Sequence, residues 1–141
     1  MRDRRYALAA LLLGLCMVSA TVFAHHGFAG RYDEEHPITL DGVVIELQFI
    51  NPHAAIIFQV RDEDGKVVRW SGYLGSATSL NKSEGWTKNT LKPGDRITIL
   101  GARAINGAPD MLLSNESRIT MTDTGEEIKN SLGTGIGQRG F

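Results

Sequence analysis

Residues 38–50, Ile38-Thr39-Leu40-Asp41-Gly42-Val43-Val44-Ile45-Glu46-Leu47-Gln48-Phe49-Ile50, decide the fold. The segment is rich in β-branched residues and it alternates. Val43, Ile45, Leu47 and Phe49 share one parity, while Val44, Glu46 and Gln48 share the other. That period belongs to a strand. Ile38 and Leu40 have the parity opposite to Val43, and Asp41-Gly42 sits at the switch, so the pattern predicts a β-bulge at Gly42. A bulged, strongly bent first strand is what a small closed barrel requires.

Downstream, Asn51-Pro52 breaks the strand and His53 opens the next one, where Ala54, Ile56, Phe58 and Val60 alternate with Ala55, Ile57, Gln59 and Arg61. Asp64-Gly65 signals a two-residue hairpin, so 66–74 returns antiparallel with Val68, Trp70 and Leu74 on one face. Ser76 and Gly85 bracket a short helix, as an N-cap and a left-handed terminator. Pro93-Gly94 has the residues of a type II turn, and 96–104 is a fourth strand with Ile97 and Ile99 inward. Asn106-Gly107 marks a second hairpin into a fifth strand at 111–121, with Met111, Leu113, Ile119 and Met121 on one face. Three strands, a helix and two strands form the element order of an OB-like five-stranded barrel. A β-sandwich would want more strands.

Upstream, 28–37 is a polar lead-in in which Phe28 and Tyr32 are spaced for one helical turn, ended by Pro37. Residues 1–24 read as a signal peptide. Arg2, Arg4 and Arg5 precede the apolar run 7–18, and Val22-Phe23-Ala24 supplies the small residues before a cut. The run is too short for a permanent membrane span, so no stable anchor is expected after cleavage. Arg4-Arg5 lacks the bulky pair that follows in twin-arginine signals, which points to the ordinary secretory route. The expected location is periplasmic or secreted, in a bacterium. The expected domain runs from 25 to 123, followed by a flexible Gly-rich tail at 124–141.

Cleavage removes Arg2, Arg4, Arg5 and Asp3, taking the formal charge from −1 to −3 (−1 less the +2 removed). Such a surface offers nucleic acid no general attraction. The single cysteine, Cys16, leaves with the signal, so the mature chain uses no disulfide.

A chain starting at His25 offers a metal both its α-amine and its imidazole, closing a chelate ring that an internal histidine cannot make. Copper(II) heads the affinity series for such nitrogen donors, with His26 and His53 as further ligands. The competing expectation is that these histidines are solvated, or that His53 ties its loop to backbone. His36, before Pro37, reads as surface turn chemistry. Trp70, Tyr73 and Trp86 lie on or near the third strand and the helix, and exposed rings there would form a stacking platform for a saccharide, small molecule or partner protein. The competing expectation, favoured by the burial habits of large aromatics, puts Trp70 and Trp86 in the core. Gly135, Gly137 and Gly140 match a dinucleotide-binding spacing but lack the strand and helix that the motif works through. Asp62, Glu63 and Asp64 read as solvated turn residues. No nucleophile elbow, His-Glu-x-x-His or processed-chain cysteine is present, so the sequence points to a binding or accessory module rather than an enzyme.

Taken together, His25-His26-Gly27-Phe28, Asn51-Pro52-His53, Asp64-Gly65, Trp70, Leu74-Gly75-Ser76, Gly85-Trp86-Thr87 and Leu91-Lys92-Pro93-Gly94-Asp95 resemble a family of exported bacterial proteins, domain of unknown function 6152. The similarity runs from about His25 to Gly107. It implies that the histidine pair and the Asn-Pro-His triplet belong to the family pattern. The chain departs from that pattern at Tyr73, where an acidic residue is frequent, and at Ala54-Ala55, where an aromatic is frequent. The segment after Asp110 also departs.

Overall fold

The computed structural model describes residues 30–114 and 116–128. Its first strand, β1 (Tyr32–Gln48), is 17 residues long because it serves two neighbours. Up to Val43 it pairs antiparallel with β4 (Arg96–Ala104), and from Val43 onward with β2 (Ala55–Arg61). β2 returns antiparallel as β3 (Val67–Tyr73), which runs parallel to the short β5 (Asp110–Leu112), and β5 pairs antiparallel with β4. The order β1-β2-β3-β5-β4, closed by the β1–β4 pairing, is a five-stranded OB-like barrel, as the element order predicts.

Helix α1 (Ala77–Glu84) joins β3 to β4 and is bounded as its sequence requires. The Ser76 hydroxyl accepts the Ser79 N–H at 3.0 Å, and Gly85 ends the helix at φ 72°, a conformation that a side chain would oppose. Leu80 from α1, with Trp86 and Leu91 beyond it, joins Val44, Ile56, Phe58, Ile97, Ile99, Met111, Leu113 and Ile119 in one buried core.

The predicted bulge exists but lies elsewhere. Val44 pairs with Phe58 and Glu46 with Ile57, which leaves Ile45 as the extra residue. Ile38, Leu40 and Val44 therefore face the core, Leu47 and Phe49 do so after the bulge, and Ile45 is 37% exposed. Gly42 is instead an inward position kept empty for Phe58. A Cβ there would stand 2.7 Å from the Phe58 ring and 2.9 Å from the Gln59 carbonyl oxygen.

From Tyr32 onward the lead-in is strand, while Phe28 of the expected helical turn lies outside the described residues. Pro37 is tolerated inside β1 because the register slips between Asp33, opposite Arg103, and Ile38, opposite Gly101. The residues between them leave the ladder, so the missing N–H is not needed there. Asp33 Oδ1 accepts the His36 backbone N–H at 3.2 Å and lies 3.1 Å from its ring, which is the turn chemistry expected of that histidine.

The β2–β3 loop is wider than two residues. Gly65 N–H bonds the Asp62 carbonyl at 2.9 Å and Asp62 N–H bonds Lys66 at 2.9 Å, a type I turn followed by a left-handed glycine. The fifth strand is split: Ser117 N–H bonds the Ser114 carbonyl at 2.9 Å, and β6 (Arg118–Met121) resumes the pairing with β4. Beyond Asp123, where the sequence puts the end of the domain, the chain turns and pairs once more as β7 (Glu127–Ile128), with Ile128 against the core.

Candidate functional site

One ion pair of the described residues lies on the outside of the barrel, where β1 begins. Ile105 N–H donates to the Arg31 carbonyl at 2.9 Å, which fixes the incoming chain beside the end of β4. Arg31 Nη2 then donates to Asp110 Oδ2 at 3.0 Å, a contact to β5 spanning 79 positions of sequence. The Arg31 guanidinium lies 5.5 Å from the Tyr32 ring centroid. Tyr32 packs with Ala102, Ala104 and Leu112 in a second, smaller apolar cluster, against which Tyr73 and Ala108 also lie.

Burial holds the Tyr32 phenol protonated, shifting its pKa well above the ordinary value; the Asp110 charge adds to this and Arg31 opposes it. The Asp110 carboxylate is itself buried. Its Oδ2 accepts from Arg31. Sequence reading passes over this cluster because Arg31 looks like one charge in a polar lead-in and Asp110 like the end of a turn. The one sequence signal for it is an acid directly before the apolar Met111-Leu112-Leu113.

The second neighbourhood is the loop entering β2. The Asn51–Pro52 peptide is cis, and the loop is sewn to the start of α1. Asn51 Oδ1 accepts the Thr78 N–H at 3.3 Å, its Nδ2 donates to the Thr78 hydroxyl at 3.1 Å, and Ala77 N–H donates to Ile50 O at 3.3 Å. Ala54 N–H bonds Gly75 O, and Leu74 N–H bonds Ala54 O, each at 2.9 Å. His53 therefore sits half-buried on a backbone fixed on both sides, with Asn51 tying the loop down.

The sequence-predicted residues separate clearly. His25 and His26 lie outside the described residues, so only His53 of the proposed ligands has a described position. Among the described residues no three or more His, Cys, Asp or Glu side chains are grouped to hold a metal. Trp70, 8% exposed, and Trp86, 2% exposed, belong to the core. Trp70 is 6.5 Å from the Phe58 ring, and Arg103 lies over it at 5.7 Å. Tyr73 is half-buried on the outer wall and links the two neighbourhoods: it shares the Tyr32 cluster and pairs in register with Ala55, two residues from His53. The acids Asp62, Glu63 and Asp64 are exposed in the hairpin loop, where Asp62 Oδ1 accepts the Lys66 N–H at 2.7 Å. No helix among the described residues is long and apolar enough to cross a membrane.

A small closed barrel of OB-like topology, with the Arg31–Asp110 ion pair on its outer wall, defines a compact β-barrel domain. The chain belongs to the family of unknown function DUF6152, whose model matches residues 12–113. That match takes in β1 to β5 and includes His25, His26, His53 and Asp110, reaching past the Gly107 limit of the sequence resemblance. No curated protein and no solved structure matches the chain.

Proposed function

We propose that this is an exported binding or accessory protein that holds copper at its processed amino terminus, through the amine and ring of His25, with His26 and His53 as further ligands. The single observation that carries this reading is where the described chain begins. Arg31 and Tyr32 are fastened to the outer wall beside Tyr73, and Tyr73 pairs with Ala55 two residues from His53. Four residues, 27–30, separate Arg31 from His26, a reach of roughly 17 Å when extended. His53 opens the strand whose Ala55 pairs with Tyr73. Its fixed backbone supplies the preorganisation that a weak pair of terminal ligands lacks.

Export is supported by the basic start, the apolar run 7–18 and the Val22-Phe23-Ala24 cleavage pattern. Burial of Trp70 and Trp86 removes most of the aromatic platform on which a saccharide or partner protein would stack, leaving Tyr73 alone for that alternative. An amine with a pKa of about 8 must release its proton to bind, so copper affinity falls as pH drops.

Isothermal titration of protein starting at His25 tests the reading. Copper(II) binding tighter than micromolar, weakened both by one residue added before His25 and by His53→Ala, is expected. Binding no tighter than micromolar, or binding indifferent to the added residue, contradicts it.

A further inference from the structure

β1 is joined to β4 in two separate pieces. Tyr32 and Asp33 lie opposite Ala104 and Arg103, the register slips over 34–37, and pairing resumes at Ile38 opposite Gly101. All four residues of the slipped stretch are exposed, and Pro37 has no N–H to give a ladder. The longer piece is anchored in the main core, where Val44 is buried and Ile38, Leu40 and Leu47 pack against it. The short piece has attachments of its own. Arg31 O accepts the Ile105 N–H at 2.9 Å, Arg31 Nη2 donates to Asp110 Oδ2 at 3.0 Å, and the Tyr32 side chain packs with Ala102, Ala104 and Leu112. The opening free energy of a segment follows the buried apolar contacts and hydrogen bonds that it holds. Here one buried side chain and an ion pair whose arginine is 46% exposed do all the holding.

We infer that residues 31–33 form a strap that lifts from the outer wall as a unit, hinged at 34–37, while the barrel stays closed. Arg31 and Asp110 are its clasp. Lifting parts Ala102, Ala104 and Leu112 from the Tyr32 ring and releases β4 at Arg103 and Ala104, so the outer wall exchanges a covered apolar strip beside a carboxylate for an open one. The device is independent of the copper reading.

Amide hydrogen exchange in protein starting at His25 tests this through two N–H groups of known acceptor. Ile105 N–H, bonded to Arg31 O, reports the strap; Val44 N–H, which donates to Asp95 O at 2.9 Å, reports the part of β1 held by the core. Ile105 is expected to exchange faster than Val44, at a rate unchanged by low urea, because lifting so short a segment exposes little surface, whereas Val44 exchange rises with urea. Ile119→Val, which truncates a fully buried core side chain, speeds Val44 exchange about two- to tenfold and leaves Ile105 as it was. Asp110→Asn loosens the clasp and speeds Ile105 exchange by up to about fivefold. With Asp33→Cys and Arg103→Cys, which face each other in the ladder of a chain that has no other cysteine once Cys16 is removed, oxidation to the disulfide slows Ile105 exchange relative to the reduced form. Matching rates and urea slopes at the two amides, or Ile119→Val acting alike on both, overturn the inference. So does an Ile105 rate that neither Asp110→Asn nor the disulfide alters, since the opening would then belong to the turn at 105–107.

Discussion

The inside and the outer wall of this barrel are built by different rules. Inside, Val44, Ile56, Phe58, Ile97, Ile99 and Met111 fill the space with carbon, and Gly42 and Gly101 are left bare so that Phe58 and Leu113 can lie on backbone. Outside, where β1 starts, a smaller apolar cluster that includes Tyr32 lies beside the ion pair of Arg31 with the buried Asp110. Burial of carbon costs nothing in unmade hydrogen bonds, whereas each polar atom taken from water must find a partner. The interior therefore carries the fold, and the outer cluster joins a buried carboxylate to Arg31.

Core truncation separates the two most sharply. Phe58→Ala is expected to lose about 3–5 kcal/mol of stability in urea unfolding, with loss of the folded barrel as the extreme result. A loss under about 1 kcal/mol would mean that the Phe58–Gly42 contact does not organise the interior. Gly42→Ala puts a methyl 2.7 Å from the Phe58 ring and 2.9 Å from a carbonyl oxygen, so overpacking of about 1–3 kcal/mol follows. A neutral Gly42→Ala would show that β1 relaxes there. On the outer wall, Asp110→Asn costs about 1 kcal/mol or less, because the Arg31 side chain is 46% exposed and regains water when its partner is lost. The contrast fails if Asp110→Asn proves as destabilising as Phe58→Ala.

The smallest effect is the one peculiar to the outer cluster. Tyr32 keeps its proton in the folded state at a pH where the unfolded chain, with a phenol pKa of about 10, has begun to lose it. The folded state then binds more protons, so its stability is complete below about pH 10 and declines as pH rises above that value. Tyr32→Phe should make the alkaline decline shallower without altering stability near neutrality by more than the lost hydroxyl contact. Denaturation midpoints measured across the alkaline range decide this, and parallel curves for the two proteins would place Tyr32 in water.

Much of the barrel could be read from the chain. Hydrophobic alternation and turn residues located β2, β3, β4 and the helix between Ser76 and Gly85, and they predicted closure into five strands. The position of the β1 bulge was not legible, because parity alone cannot distinguish a glycine that bends a strand from one that makes room for Phe58 on a neighbouring strand. Strand character at 32–37 was hidden for a related reason: Pro37 argues against pairing unless the register slips, and register is a property of two strands together. The split of the last long strand depended on β4 serving β5 and β6 in turn. At the site, the His53 triplet was visible as a motif. The Arg31–Asp110 contact was not, since its partners are far apart in sequence and each looks ordinary by itself.

The copper(II) electron paramagnetic resonance spectrum of protein starting at His25, compared with that of His53→Ala, tests the central claim most directly. If the processed terminus meets the β2 loop on the outer wall, the wild-type spectrum shows nitrogen coordination that includes the His53 imidazole, and the variant shows one imidazole fewer. Superimposable spectra would mean that any copper is held by the terminus alone, away from the barrel.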